Sequence, residues 1–215
     1  MSGAGVPGRR PLASRDAGWA QALARRLAAT SVTPNAISMA SVGCAAIACL
    51  AFAGVAHADG AGRAALLVVA ALGCQGRLLC NLLDGMVAIE GGKRTADGAL
   101  WNELPDRFAD LLVFVGLGLA CGVPALGWAA GAFAVLTAYV RELGRAIDGV
   151  SDFSGPLAKP QRMALVTVAS VVSAFEGLWD GRGGLLRIAL WALVLGTLAT
   201  ALRRGGILLA RLRRR

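Results

Sequence analysis

Two short polar rows interrupt an otherwise apolar sequence between residues 81 and 110. Asn81, Asp84 and Ala88 recur at i, i+3, i+7, and Gly98, Asn102, Asp106 and Asp110 at i, i+4, i+8, i+12. Each row therefore falls on one helix face. Asp84 and Asp106, with the carboxamides of Asn81 and Asn102, form an all-oxygen set across two helices. Oxygen donors suit Mg²⁺, Mn²⁺ or Ca²⁺ rather than zinc or copper. Mg²⁺ commonly joins one or two carboxylates to substrate phosphates. Gly85, Gly91, Gly92 and Gly98 flank the acids and let a bulky group approach the backbone. Lys93 and Arg94 share the loop between the rows. These residue types point to metal-assisted phosphoryl-group chemistry. The plainer alternative is an interhelical hydrogen-bond cluster without chemistry. Three aspartates (Asp84, Asp106 and Asp110) in apolar helices are costly for packing alone.

The elements that must position these rows read as membrane helices. The 215 residues are 56% hydrophobic and only 16% charged, with mean hydropathy +0.62. A soluble domain carries about a quarter charged residues. The expected fold is an all-α membrane protein with six transmembrane helices, at roughly 36–56, 64–89, 99–122, 124–145, 163–180 and 185–203. Each approaches the ~20 residues that a bilayer crossing needs. Gly116, Gly118, Gly131, Gly196 and many alanines permit close helix packing. Residues 1–16, rich in Gly, Pro, Ser and Arg, read as disordered. Residues 17–30 place Trp19, Leu23 and Leu27 at i, i+4, i+8 with Arg25 and Arg26 off that stripe. This suits a short juxtamembrane amphipathic helix, lying on the membrane or packed on the bundle. Thr33-Pro34-Asn35 ends it and opens the first span of the 31–215 transmembrane domain.

Charge sets the expected orientation. The net charge of +9 comes from Lys and Arg gathered at the termini and between apolar runs. Eighteen fall on one side of the six-span topology and Arg63, Arg182 and Arg187 on the other, with Arg77 inside a span. By the positive-inside rule both termini are cytoplasmic. The polar rows then lie level in the cytosolic halves of the second and third spans. A cavity open to the cytoplasm accommodates them. The basic clusters lack interleaved aromatics, so no nucleic-acid partner is expected. Cys44, Cys49, Cys74, Cys80 and Cys121 lie in or beside apolar runs without CxxC spacing and read as small buried hydrophobes. His57 has no second histidine to share a metal with. No apolar core precedes Ala36, so no cleavable signal is expected.

The segment resembles the signature of the CDP-alcohol phosphotransferases, membrane enzymes of phospholipid synthesis. Their pattern is D-x-x-D-G-x-x-A-R, about eight residues, then G-x-x-x-D-x-x-x-D. Here Asn81-Leu-Leu-Asp84-Gly85-Met-Val-Ala88-Ile89 is followed after eight residues by Gly98-Ala-Leu-Trp-Asn102-Glu-Leu-Pro-Asp106. The spacing matches throughout. Asn81 and Asn102 stand where the pattern has aspartates, and Ile89 where it has arginine. The resemblance implies transfer of a phosphatidyl or other phospho-alcohol group from a CDP-alcohol, CDP-diacylglycerol above all, to an alcohol with release of CMP. It implies Asp106 as general base and a Mg²⁺ or Mn²⁺ centre on Asp84, Asp106, Asn81 and Asn102. It implies a substrate surface of Gly85, Ala88 and Gly98, and a homodimer in the bacterial-type inner or plasma membrane. With two formal charges fewer than the pattern, the site admits one metal, or recruitment of Asp97, Glu103 or Asp110. A catalytically impaired homologue is the other alternative.

Further cations complete the candidate site. Arg141, Arg145, Lys159 and Arg162 form a basic segment suited to a phosphorylated acceptor such as glycerol phosphate or inositol phosphate, or to anionic lipids. Arg77 lies one turn before Asn81 and suits a pair with Asp84 or Asp110, or replacement of the charge missing at Ile89. The C-terminal RLRRR reads as a topology anchor. Asn102-x-x-x-Asp106-x-x-x-Asp110 is also similar to the Asp-rich motif of Mg²⁺-dependent membrane prenyltransferases, but a second such motif and further spans are missing. An ion-binding membrane protein without catalysis is a third class.

Overall fold

The computed structural model describes residues 17–179 and 183–214. The expected disordered segment 1–16 lies outside the described residues. Seven α-helices are present among them: α1 (Gly18–Ala28), α2 (Pro34–Val55), α3 (Gly60–Glu90), α4 (Gly98–Ala120), α5 (Pro124–Asp148), α6 (Lys159–Ser173) and α7 (Gly184–Leu212). A 3-10 turn, Glu176–Trp179, precedes α7. The helix boundaries follow local chemistry. The Thr33 hydroxyl accepts from the Ala36 N–H at 3.1 Å and Pro34 occupies the first turn of α2, as its sequence suggests. Pro124 opens α5, and Gly149 ends it with φ 69°.

α2, α3 and α7 are long and apolar enough to cross a membrane, by length and composition. Large apolar side chains on these helices, Leu50, Leu72 and Ile188 among them, are exposed, as lipid-facing surfaces require. The expected span at 163–180 is not one continuous helix. α6 has 15 residues and ends at Ser173. The reason lies at Glu176, which is buried and accepts from the N–H groups of Gly183 and Leu185, both at 3.1 Å, and from Arg63 at 3.2 Å. The chain turns inward to place this carboxylate on the N-terminus of α7, where unpaired N–H groups and the helix dipole favour negative charge. The last expected span also changes. α7 continues well past residue 203, so Arg203, Arg204 and Arg211 are helical rather than tail residues.

α2 packs against α3 and α4, α5 against α4 and α7, and α6 against α3 and α7. Their shared core includes Phe52, Leu67, Phe114, Leu117, Met163, Leu190 and Leu193. α1 packs on α3. Ala20 and Ala24 are fully buried against a cluster with Leu82, Leu83, Met86 and Val87. Of the expected Trp19–Leu23–Leu27 stripe, Leu23 and Leu27 join that cluster at its margin and Trp19 stays 58% exposed. Lys93 secures the α1–α2 connection by donating to the carbonyls of Thr30 and Val32.

Small residues set the helix spacing. A Cβ on Gly116 would stand 2.7 Å from Cys49 Cα of α2. One on Gly127 would stand 2.5 Å from the Phe114 oxygen of α4. These backbones touch, and only glycine allows it.

Buried charge ties the helices together. Arg77 of α3 is fully buried and pairs through Nη2 with Asp110 Oδ1 of α4 at 2.6 Å. Arg162 of α6 pairs with Asp110 Oδ2 at 3.0 Å and donates to Thr137 Oγ1 of α5 and the Leu157 carbonyl. Arg204 of α7 donates to the carbonyls of Thr137 and Ser154. Five helices thus meet in one ionic layer, whose centre is the 1% exposed Asp110.

Two predictions follow from the packing and the ionic layer. Gly127→Val forces α4 and α5 apart and costs about 1–3 kcal/mol. Its detergent thermal midpoint falls, whereas Gly206→Ala, whose Cβ meets nothing within 4 Å, does not lower it. Arg77→Met removes one of the two guanidinium partners of a buried carboxylate and costs about 3–5 kcal/mol. Unfolding in a denaturing-detergent titration checks that loss.

Candidate active site

The two polar rows come together at one end of the bundle, at the C-terminal end of α3 and the N-terminal end of α4. They face a cavity of about 600 Å³. Asn81, Asp84 and Gly85 of α3 line it, opposite Asn102, Glu103 and Asp106 of α4. Arg141, Glu142 and Arg145 of α5 and Lys159 of α6 complete the polar wall. Leu78, Leu79 and Leu82 supply an apolar side, with Trp19 of α1 at the edge. A mixed apolar and charged wall suits an amphipathic ligand.

Asp106 is 7% exposed and surrounded by cations. Lys159 Nζ donates to its Oδ2. Arg107 Nη2 lies 3.6 Å from Oδ2, and Arg77 Nη2 lies 3.5 Å from Oδ1 and 3.3 Å from the Asp106 carbonyl, to which it donates. Its Oδ1 has no hydrogen-bond donor. Oδ2 is therefore anchored by Lys159 and Oδ1 is buried on the Arg77 side, and the carboxylate as a whole stands on the cavity wall, where it can accept a proton. Pro105, inside α4, has no N–H to complete the bond to the carbonyl one turn earlier.

Asp84 has a different environment. It is 4% exposed and accepts from the Ser38 hydroxyl at 2.6 Å and the Gly85 N–H at 2.5 Å. Both donors are neutral. Among the described residues no Lys or Arg forms a salt bridge with it. A buried carboxylate without a cation is costly unless it binds a metal or gives up its charge.

The other candidate residues divide between cavity wall and support. Asn81 lines the cavity with an unpartnered Nδ2, and Asn102 lines it on the exposed side. Arg141 binds Glu103 at 2.6 Å and lies 5.6 Å from the Phe153 ring centroid. Arg77 and Arg162 are not on the wall. Both belong to the ionic layer around Asp110, from which Arg77 also reaches Asp106. Ala88 and Gly98 also fall outside the lining, as do Lys93 and Arg94. The three acids considered as extra metal ligands already have partners, Glu103 on the cavity wall itself. Asp110 holds two arginines, Glu103 holds Arg141, and Asp97 accepts from the Trp101 indole at 2.8 Å. The Thr95 hydroxyl and the Trp101 indole keep the Asp97 carboxyl below the usual carboxylate range. Among the described residues no three His, Cys, Asp or Glu side chains converge. Asp84 and Asp106 with the carboxamide oxygens of Asn81 and Asn102 on one cavity nevertheless fit a hard divalent cation that shares its shell with substrate phosphates.

Sequence reasoning missed Ser38, Gln75, Ser151 and Phe153. Ser38 reaches Asp84 across 46 positions in sequence, and Gln75 lines the cavity while donating to Thr167 across 92. Neither residue belongs to a spacing pattern that would single it out.

No family model matches the chain. Among curated proteins, the phosphatidylinositol phosphate synthase of Mycobacteroides abscessus is 29% identical over 135 residues, or 58% of this chain. The match spans 57% of that relative's length. Among solved structures, Mycobacterium tuberculosis phosphatidylinositol phosphate synthase with CDP-DAG bound superposes with a TM-score of 0.73 at 21% identity, covering 89% of this chain and 94% of that one. The same enzyme in complex with manganese and citrate gives 0.71 at 21% identity, covering 88% of each chain. The chain thus has the fold of the Mycobacterium tuberculosis phosphatidylinositol phosphate synthase and is similar in sequence, over 58% of its length, to the Mycobacteroides abscessus phosphatidylinositol phosphate synthase, in agreement with the resemblance stated above.

Proposed function

We propose that this protein is an integral-membrane, metal-dependent CDP-alcohol phosphotransferase of phospholipid synthesis. It moves a phosphatidyl or other phospho-alcohol group from a CDP-alcohol to an alcohol acceptor and releases CMP. One observation carries this reading: Asp84 and Asp106, from two helices, line the same cavity as the cations Arg141, Arg145 and Lys159. The sequence homology and the shared fold support it and favour it over the prenyltransferase alternative. The donor bound in one related structure is CDP-DAG, and CDP-diacylglycerol is the donor proposed here. The apolar side formed by Leu78, Leu79 and Leu82 suits its lipid part. On the six-span topology expected from the sequence, the positive-inside imbalance supports both termini and the cavity on the cytoplasmic side. A homodimer rests on the resemblance alone.

In this mechanism the Asp106 carboxylate, on the cavity wall, takes the proton of the acceptor hydroxyl. The alcohol oxygen bonds to the phosphorus that carries the lipid or alcohol of the donor. The bond from that phosphorus to the CMP oxygen breaks, and CMP leaves with the electron pair. Lys159 holds the carboxylate in place through Oδ2. Mg²⁺ or Mn²⁺, when bound by Asp84 and the neighbouring oxygens, supplies charge neutralisation to the diphosphate. Arg141 and Arg145, paired with Glu103 and Glu142 on the same wall, are the guanidinium groups a phosphorylated acceptor would draw on.

The test is CMP release from purified protein given CDP-diacylglycerol, Mn²⁺ and a panel of alcohols that includes glycerol phosphate and inositol phosphate. Release that depends on one acceptor is the expected result, and no release with any acceptor sinks the reading. Asp106→Asn should lower the rate by about 10²–10⁴-fold, with an unchanged size-exclusion profile. EDTA should stop turnover, and added Mn²⁺ should restore it.

A further inference from the structure

The two site carboxylates are not electrically equivalent. Asp106 already has Lys159 on Oδ2, with Arg107 and Arg77 close by. Asp84 is equally buried but has only neutral donors. It also has carboxamides rather than carboxylates at the two neighbouring candidate positions, Asn81 and Asn102. The cavity wall carries Asp84, Glu103, Asp106 and Glu142 against Arg141, Arg145 and Lys159, a local charge near −1 before any ion binds, with Arg77 and Arg107 shared among other acids. A second divalent ion would add +2 to a pole that Lys159 has already largely neutralised at Asp106. Coulomb repulsion between an ammonium and a divalent cation on one carboxylate is large in a site of low dielectric.

We propose that the cavity binds a single divalent cation, anchored on Asp84 with help from the Asn81 and Asn102 carbonyl oxygens, and that the Lys159 ammonium takes the place of a second ion at Asp106. The inference rests on the function proposed above and narrows it. Asp84 alone supplies the formal charge of the cation site, which fits a Mg²⁺-type ion held by one or two carboxylates and completed by substrate phosphates. Asp106, on the cavity wall without an ion of its own, remains available to the acceptor proton. Lys159 is a positioning residue, fixing the Asp106 carboxylate and supplying positive charge beside the diphosphate.

The proposal is tested by counting Mn²⁺ on the full-length protein in detergent, with free Mn²⁺ read by electron paramagnetic resonance. One saturable Mn²⁺ per chain is expected. Asp84→Asn should weaken binding by about 100-fold, the upper end of the range for losing a supporting group at a metal site, whereas Asp106→Asn should retain one Mn²⁺ within a few-fold of the parent affinity. A triple variant, Asn81→Asp with Asn102→Asp and Lys159→Met, should bind two. This gain of an ion needs a folded site, so misfolding cannot produce it. Two ions on the parent chain, or equal losses from Asp84→Asn and Asp106→Asn, would overturn the proposal. CMP release measured on the same preparation separates the two readings. Release with two bound ions refutes only the single-cation inference, whereas one bound ion without release with any acceptor refutes the transferase reading.

Discussion

The structure depends on where its buried charges find partners. Asp110 lies within the bundle at 1% exposure and would be untenable alone. Arg77 and Arg162 reach it from α3 and α6 and hold it from both oxygens. The same guanidinium of Arg77 also reaches Asp106, one turn earlier on α4. The scaffold's ion pair and the site's candidate base are therefore mechanically one unit. This unit holds α3 and α4 with Asp84 and Asp106 facing one cavity.

Around that unit the helices approach closely because small residues let them. Gly116 and Gly127 bring the α4 backbone against α2 and α5. With little hydrophobic driving force between helices in lipid, such contacts and buried polar pairs supply much of the association. The opposite end of the bundle uses another device. Glu176 turns the chain inward and accepts from the start of α7, so α6 is short and α7 long. The cavity end thereby gains the lower half of α7, where Arg204 holds the loop that leads to Lys159 through the Ser154 carbonyl.

Two departures from the phosphotransferase pattern and one cation outside it act together on the charge of the cavity. Asn81 and Asn102 remove negative charge from the cavity, and Lys159 adds positive charge to Asp106. Phosphoryl transfer depends largely on positioning and on charge stabilisation of the transferring group. A fixed ammonium and a bound divalent ion are two routes to the same stabilisation. The cavity keeps the oxygen donors needed for the second while showing the first already in place.

The sequence by itself determined the helical rows, the Thr33–Pro34 helix start, the membrane character and the convergence of Asp84 with Asp106. These are local matters. Helical periodicity puts Asn102, Asp106 and Asp110 on one face, and the short loop between the rows makes α3 and α4 neighbours. The 81–106 spacing also carried the family resemblance, because metal and phosphate chemistry restricts both residue type and interval. Tertiary structure alone decided which charge meets which. Arg77 had equal sequence claims on Asp84 and Asp110, and the fold gave it to Asp110. Arg162 sits beside Lys159 in sequence, yet one enters the ionic layer and the other the cavity wall. Ser38 found Asp84 from another helix altogether. Ion pairing acts over a few ångströms between groups tens of residues apart, so it depends on how helices pack and rotate, which no interval in the chain records.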